Sequence, residues 1–94
     1  RYETESYSAD RFAEYALAWN EAIPRCGGRL VGYYAPHEGS LTTAYAVIEF
    51  ENLAAYETYR ARLRQDPQGR ANFEFARDGK FIRLEERQFL QRVE

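Results

Sequence analysis

Strand-like alternation at both ends of the chain, one long helical stripe between them and a glycine-bounded hairpin at the centre predict an α+β fold. The element order they give is β-α-β-β-α-(α)-β. This is the split βαβ, ferredoxin-like arrangement: an antiparallel four-stranded sheet with helices on one face. No repeat, linker or composition break divides the 94 residues, so residues 1–94 are expected to form a single domain.

Arg1 to Ser8 alternates and carries Tyr and Thr, as a strand does, with Tyr2, Thr4 and Ser6 on one face and Glu3, Glu5 and Tyr7 on the other. Ser8 or Asp10 then caps a helix whose apolar stripe is Phe12, Tyr15, Ala16, Trp19, Ala22, Ile23 and Cys26. Pro24 loosens its last turn and Gly27-Gly28 permits a left-handed stop. In the second strand Leu30, Gly32 and Tyr34 alternate with Val31, Tyr33 and Ala35. That pattern places Tyr34 under the helices, Tyr33 on the opposite face, and a missing side chain at Gly32 on the helix-packed side. Pro36 to Ser40 has turn chemistry and joins this strand to the next as a hairpin. On the third strand Ala44, Ala46, Ile48 and Phe50 share one face, and Thr43, Tyr45, Val47 and Glu49 share the other.

Asn52 is placed to cap a second helix with Leu53, Tyr56, Tyr59, Arg60 and Leu63 on its stripe. Asp66-Pro67 restarts a short helix carrying Phe73 and Ala76, which stops at Asp78-Gly79. Residues 80–93 alternate again and form the last strand, with Ile82 and Leu84 inward and Phe81, Arg83, Arg87 and Phe89 outward.

Composition excludes several function classes. Hydrophobic residues make up 45% of the chain, enough for a core. The net charge of -2 offers no basic surface for nucleic acid, and the run Arg60, Arg62, Arg64 reads as a solvated helix face. One cysteine, Cys26, allows neither an internal disulfide nor a cysteine-based zinc site, and no metal spacing or phosphate loop occurs. No cofactor is expected. No stretch reads as a membrane span or signal peptide, so neither a membrane nor a secreted location is expected. The chain opens at Arg1 without Met, which suggests trimming, and the expected compartment is reducing: cytoplasmic or matrix-like.

The open sheet face is mixed, yet Tyr33, Tyr45, Val47, Phe81 and Phe89 leave an apolar patch on it. A homodimer with the sheets facing each other is the economical solution. The stretch Gly28-Arg29-Leu30-Val31-Gly32-Tyr33-Tyr34, then Gly39, then residues 59–67 (Tyr-Arg-Ala-Arg-Leu-Arg-Gln-Asp-Pro), resembles the NIPSNAP family, as do Tyr2-Glu3 and Tyr7. The resemblance covers nearly the whole chain. It implies a dimeric α+β barrel, two ferredoxin-like units with sheets inward and helices outward. Glu3, Gly32, Tyr33, Gly39, Arg62, Asp66 and Pro67 match the family pattern and read mainly as structural positions. The chain departs from it at Glu5 (commonly Arg), Thr42 (often Asn), Ala46 and Ile48 (often His and Trp) and Gly69 (often Trp).

Candidate chemistry falls in three places. His37, the only histidine, sits in the hairpin loop beside Glu38 and is a candidate acid/base, its alternative being an exposed loop residue. Glu49 shares a face with Tyr33 and Tyr45 and is a candidate proton acceptor; the alternative is an interface carboxylate paired with arginine. Trp19, Tyr34, Tyr56 and Arg60, with Tyr33 and Tyr45, are candidate ligand-binding residues, the alternative for the aromatics being ordinary core. A core-facing Arg60 calls for a carboxylate or an anionic ligand. Two function classes stay open: a homodimeric small-molecule-binding protein that is in one version a cofactor-independent enzyme on a small hydrophobic or aromatic substrate, or a non-catalytic structural or interaction module.

Overall fold

A computed structural model describes residues 1–93. The elements are β1 (Tyr2–Thr4), α1 (Ala9–Arg25), β2 (Arg29–Tyr34), β3 (Thr43–Glu49), α2 (Leu53–Gln65), α3 (Pro67–Gly79) and β4 (Ile82–Glu85). The strands form one sheet in the order β2-β3-β1-β4 with every neighbouring pair antiparallel. The fold is the expected α+β, ferredoxin-like one.

The α1 stripe organises the core. All seven of its predicted positions are buried, among them Phe12, Trp19, Ile23 and Cys26. They meet Tyr2, Ala44 and Phe81 from the sheet side and Tyr59 and Leu63 from α2. Burying a side chain the size of Phe12 stabilises the fold by about 2–3 kcal/mol. The helix ends in a Schellman motif: the Gly28 N–H donates to the Ile23 carbonyl at 3.0 Å and the Gly27 N–H to the Pro24 carbonyl at 3.2 Å. Gly27 takes the required left-handed φ of 105°. Gly28 is needed for space instead, since a Cβ there would lie 2.8 Å from Ile23 Cγ2 and 3.2 Å from Ile48 Cγ2.

Asn52 caps α2 as expected, its side chain accepting the Ala55 N–H at 2.8 Å. Asp66 ends α2 and caps α3, accepting the Gly69 N–H at 2.9 Å. The Arg25 guanidinium forks onto both Asp66 oxygens at 2.8 and 2.7 Å, which ties the end of α1 to the α2–α3 joint. Asn72 is buried and donates to the Tyr15 carbonyl at 2.9 Å, locking α3 against α1.

Strict alternation fails at two bulges. In β2, Leu30 pairs with Ile48 but Gly32 pairs with Val47, so Val31 is an extra residue and the parity inverts after it. Tyr33 therefore faces the helices and packs against Tyr2 and Phe12, while Tyr34 is 51% exposed on the open face. Gly32 also belongs to the open face, where the Tyr34 ring lies over it; a Cβ at Gly32 would be 3.0 Å from the Tyr34 hydroxyl. The expected positions of Tyr33, Tyr34 and Gly32 are thus reversed. In β4, Glu3 pairs with Leu84 and Thr4 with Ile82, which makes Arg83 the extra residue. Leu84 accordingly lies outward, 43% exposed, and Glu85 opposite Tyr2 lies on the helix side. Phe81, expected on the open face, is 2% exposed and packs on Tyr15 and Phe75.

The terminal strands are also shorter than the alternation suggested. β1 ends at Thr4, and Tyr7 stands in a turn with φ 63° and its ring exposed. β4 ends at Glu85, and residues 86–93 run as an irregular tail whose Phe89 packs edge-on against Tyr56 at 4.8 Å rather than on the open face. Leu53, expected on the α2 stripe, is the first residue of that helix and is 65% exposed. The helix after Asp66 is not short but runs thirteen residues.

Candidate functional site

β1 reaches β3 only through the pairs Tyr2–Ala44 and Glu3–Thr43. Beyond Ala44, β3 has β2 on one side and, among the described residues, no strand on the other. A cavity of about 900 Å³ opens there, between the free edge of β3, α2 and the tail. It reaches Ala46, Ile48 and Phe50 on the covered face and Tyr45, Val47 and Glu49 on the open one. Its inner wall is aromatic: Tyr2, Tyr15, Trp19, Tyr33, Tyr59 and Phe73. Trp19 meets Phe73 and Tyr15 edge-on at 5.0 and 5.8 Å, an arrangement that fixes the indole from two sides.

Polar groups on this wall are few and well defined. The Tyr2 and Tyr33 hydroxyls lie 3.2 Å apart and share one hydrogen bond. Burial raises the pKa of Tyr2, Tyr15, Tyr33 and Tyr59 above the ordinary phenol value. These groups remain protonated near neutral pH and can donate or accept hydrogen bonds, but they do not serve as tyrosinate bases. Trp19 is 3% exposed, and its indole N–H has no hydrogen-bond partner. The Tyr15 phenol stands beside that N–H as a side-chain acceptor, but outside full hydrogen-bonding geometry.

Charged groups ring the mouth. Glu86 pairs with Arg1 at 3.1 Å, Glu85 with Arg87 at 3.5 Å, and Glu49 with Arg29 and Arg92 at 3.4 and 3.8 Å. Arg60 is half-buried on the same lining, and among the described residues it has neither a hydrogen bond nor an ion pair. It acts on the neighbouring Tyr59 phenol, whose pKa it pulls down against the larger upward push of burial.

The structure therefore brings together Trp19, Tyr33, Tyr45, Tyr56, Arg60 and Glu49 around one space. It places His37 and Tyr34 outside that lining. His37 is exposed in the loop beyond Tyr34, and Glu49 lies four residues from Tyr45 toward the other end of the hairpin. At ~3.3 Å per residue that separation along the strand alone is about 13 Å, too far for the two to handle one proton together. Glu49 is also held in ion pairs.

Sequence reasoning missed Glu85. It shares the helix side with Tyr2 and acts electrostatically on the Tyr2, Tyr15 and Tyr33 phenols. Its only advance signal was alternation, which the bulge at Arg83 inverts. Cys26 lies in the core, where burial pushes its thiol pKa up. Among the described residues no group of three or more His, Cys, Asp or Glu is arranged to hold a metal, and no helix is long and apolar enough to cross a membrane.

Compared with known proteins, the chain matches the NIPSNAP family model over residues 1–94. No curated protein and no solved structure matches it.

Proposed function

The chain belongs to the NIPSNAP family, and from that premise we propose that it is a homodimeric small-molecule-binding protein whose ligand occupies the cavity between α2, the free edge of β3 and the tail. The observation that carries this reading is the cavity itself: about 900 Å³ of space with an aromatic wall and an indole N–H left without an acceptor. A buried donor without a partner costs about 1–3 kcal/mol, and a ligand acceptor would recover it. The volume lies in the range of small-molecule sites. Trp19, Tyr33, Tyr45, Tyr56 and Arg60 line the space and are the proposed ligand contacts.

The dimer is proposed through the open sheet face. Tyr34, Tyr45, Val47 and Leu84 lie there, each 43–51% exposed. Tyr34, Tyr45 and Val47 adjoin on β2 and β3, with Leu84 beyond the Glu3 of β1; exposed apolar surface on a sheet is usually covered by a partner, and a self-complementary two-fold contact covers it without a second protein.

A second reading, a cofactor-independent enzyme, is supported by Glu85. That carboxylate stands on the cavity side beside phenols that can orient a carbonyl by hydrogen bonds. Under this reading Glu85, on the phenols' side of the sheet, accepts the proton once its 3.5 Å pair with Arg87 opens, in place of His37, which lies outside the lining, and Glu49, which lies on the open face.

Trp19 is the only tryptophan, so its fluorescence reports the cavity wall directly. The proposal expects small apolar ligands from a fragment library to quench or shift that emission saturably. A library that leaves it unchanged at millimolar concentration removes the binding reading. The dimer is tested separately by sedimentation velocity: a monomer at micromolar concentration removes that part alone.

A further inference from the structure

We propose that the ligand is a monoanionic carboxylic acid with an apolar body, its carboxylate held by Arg60 and its body laid against Trp19 and Phe73. The inference rests on the cavity-binding reading above and adds the chemical class of the ligand.

The argument begins with the charges. Each other arginine on the lining, Arg1, Arg87 and Arg92, has a carboxylate within 4.0 Å. Among the described residues Arg60 has none, although α2 holds it half-buried against the cavity. A guanidinium withdrawn from water needs an acceptor, and its planar fork fits a carboxylate through two parallel hydrogen bonds. One uncommitted cation matches one negative charge. A phosphate dianion would require a second cation, and the neighbouring ones are taken up in pairs.

The second observation is independent of the first. Trp19 is more than nine-tenths buried, lines the same cavity, and carries a donor with no acceptor. Both uncommitted groups on this wall are donors and neither is an acceptor, which suits a ligand of negative rather than positive charge. The rest of the inner wall is apolar or aromatic, with Ile23, Leu63 and Phe73 beside Trp19. That wall desolvates a hydrocarbon or aryl body, and its phenol hydroxyls, two of them already paired with each other, do not match the many polar groups of a sugar or a peptide. Glu51 stands exposed at the rim and opposes an anion there, which favours entry with the apolar end leading and the charge stopping at Arg60.

The test is a matched set of three probes at pH 7.5, decanoate and decyltrimethylammonium below their micellar concentrations and 1-decanol below its solubility limit, read by Trp19 fluorescence and by calorimetry. Decanoate is expected to bind at least about tenfold more tightly than decanol, the difference one charge-assisted hydrogen-bond pair makes. The cation is expected to bind more weakly still. Arg60→Gln should erase the preference for decanoate while leaving decanol affinity within about twofold, and Arg60→Lys should keep part of it. Circular dichroism checks that the variants fold. The wild-type comparison stands without them.

Equal binding of decanoate and decanol, or an undiminished preference in Arg60→Gln, overturns the anion assignment and leaves the apolar cavity in place. Absence of binding by all three probes overturns both the assignment and the cavity reading beneath it.

Discussion

Replacing Tyr33 by Ala should destabilise the chain severely, and replacing its neighbour Tyr34 should not. The Tyr33 ring stacks on Tyr2 at 6.1 Å and 26° and lies 6.2 Å from Phe12, and its hydroxyl is 3.2 Å from that of Tyr2. Removing a ring from such a cluster costs about 3 kcal/mol, the lower end for an aromatic-to-alanine change because one side of Tyr33 borders the cavity. For a domain of this size that corresponds to a fall in Tm of about 12–24 °C. Tyr34 is half-exposed and lies over Gly32 on the open face, so Tyr34→Ala should cost less than about 1 kcal/mol. Tyr33→Phe is informative in a different way. It leaves the buried Tyr2 hydroxyl without its partner, at about 1–2 kcal/mol, and adding Tyr2→Phe should restore most of that loss. Urea unfolding followed by Trp19 emission gives all of these values, with the chain kept at sub-micromolar concentration so that self-association does not contribute. Had β2 alternated without a bulge, the two tyrosines would exchange roles. Equal costs, or a larger cost at Tyr34, would refute the inverted register.

Other perturbations bear on separate parts of the structure. Gly28→Ala forces a Cβ against Ile23 and Ile48, and thermal unfolding should show a loss of about 1–3 kcal/mol. Arg25, the Gly69 N–H and their surroundings hold the Asp66 carboxyl down from 3.8 to about 2. A depressed carboxyl contributes stability that is present above its unfolded value and lost as pH falls through the folded one. The Tm of the wild type should therefore decline between about pH 4 and 2 more steeply than that of Asp66→Asn, and parallel curves would contradict the pairing. At the alkaline end the sign reverses for the buried phenols. Tyr2, Tyr33 and Tyr59 have folded pKa values raised by burial, so their contribution is complete below the unfolded phenol value and is lost as pH rises past it. Absorbance at 295 nm should show these tyrosines ionising together with unfolding above about pH 10; free titration in a still-folded chain would exclude their burial.

The parts of this fold that a sequence discloses are those set by local chemistry. The stripe from Phe12 to Cys26 is a helix face with a period that nothing interrupts, and Asn52 and Asp66 are caps whose side-chain oxygens reach the N–H groups three residues on. The hairpin and the order of elements follow from the same signals. What stayed hidden is set by pairing across strands. An extra residue at Val31 or Arg83 has no side-chain signature, yet each reverses every assignment beyond it. That one effect exchanged Tyr33 with Tyr34, turned Leu84 outward, and brought Glu85 to the cavity. The candidate site was legible in Trp19, Tyr56 and Arg60, which helices position by a regular period. It was illegible in the free edge of β3, because the extent of β1 is fixed by pairing and not by its own alternation.

The most direct test of the account is the indole resonance of Trp19. A single tryptophan gives one Nε1–H signal in a ¹⁵N–¹H correlation spectrum, so assignment is immediate. Without a hydrogen-bond acceptor that proton should resonate upfield of an ordinary bonded indole. Decanoate should move it saturably, to a position that Arg60→Gln no longer reaches at the same concentration. A Trp19 signal that keeps its position through a millimolar titration, in a chain that remains folded, would contradict the claim that this cavity is a binding site.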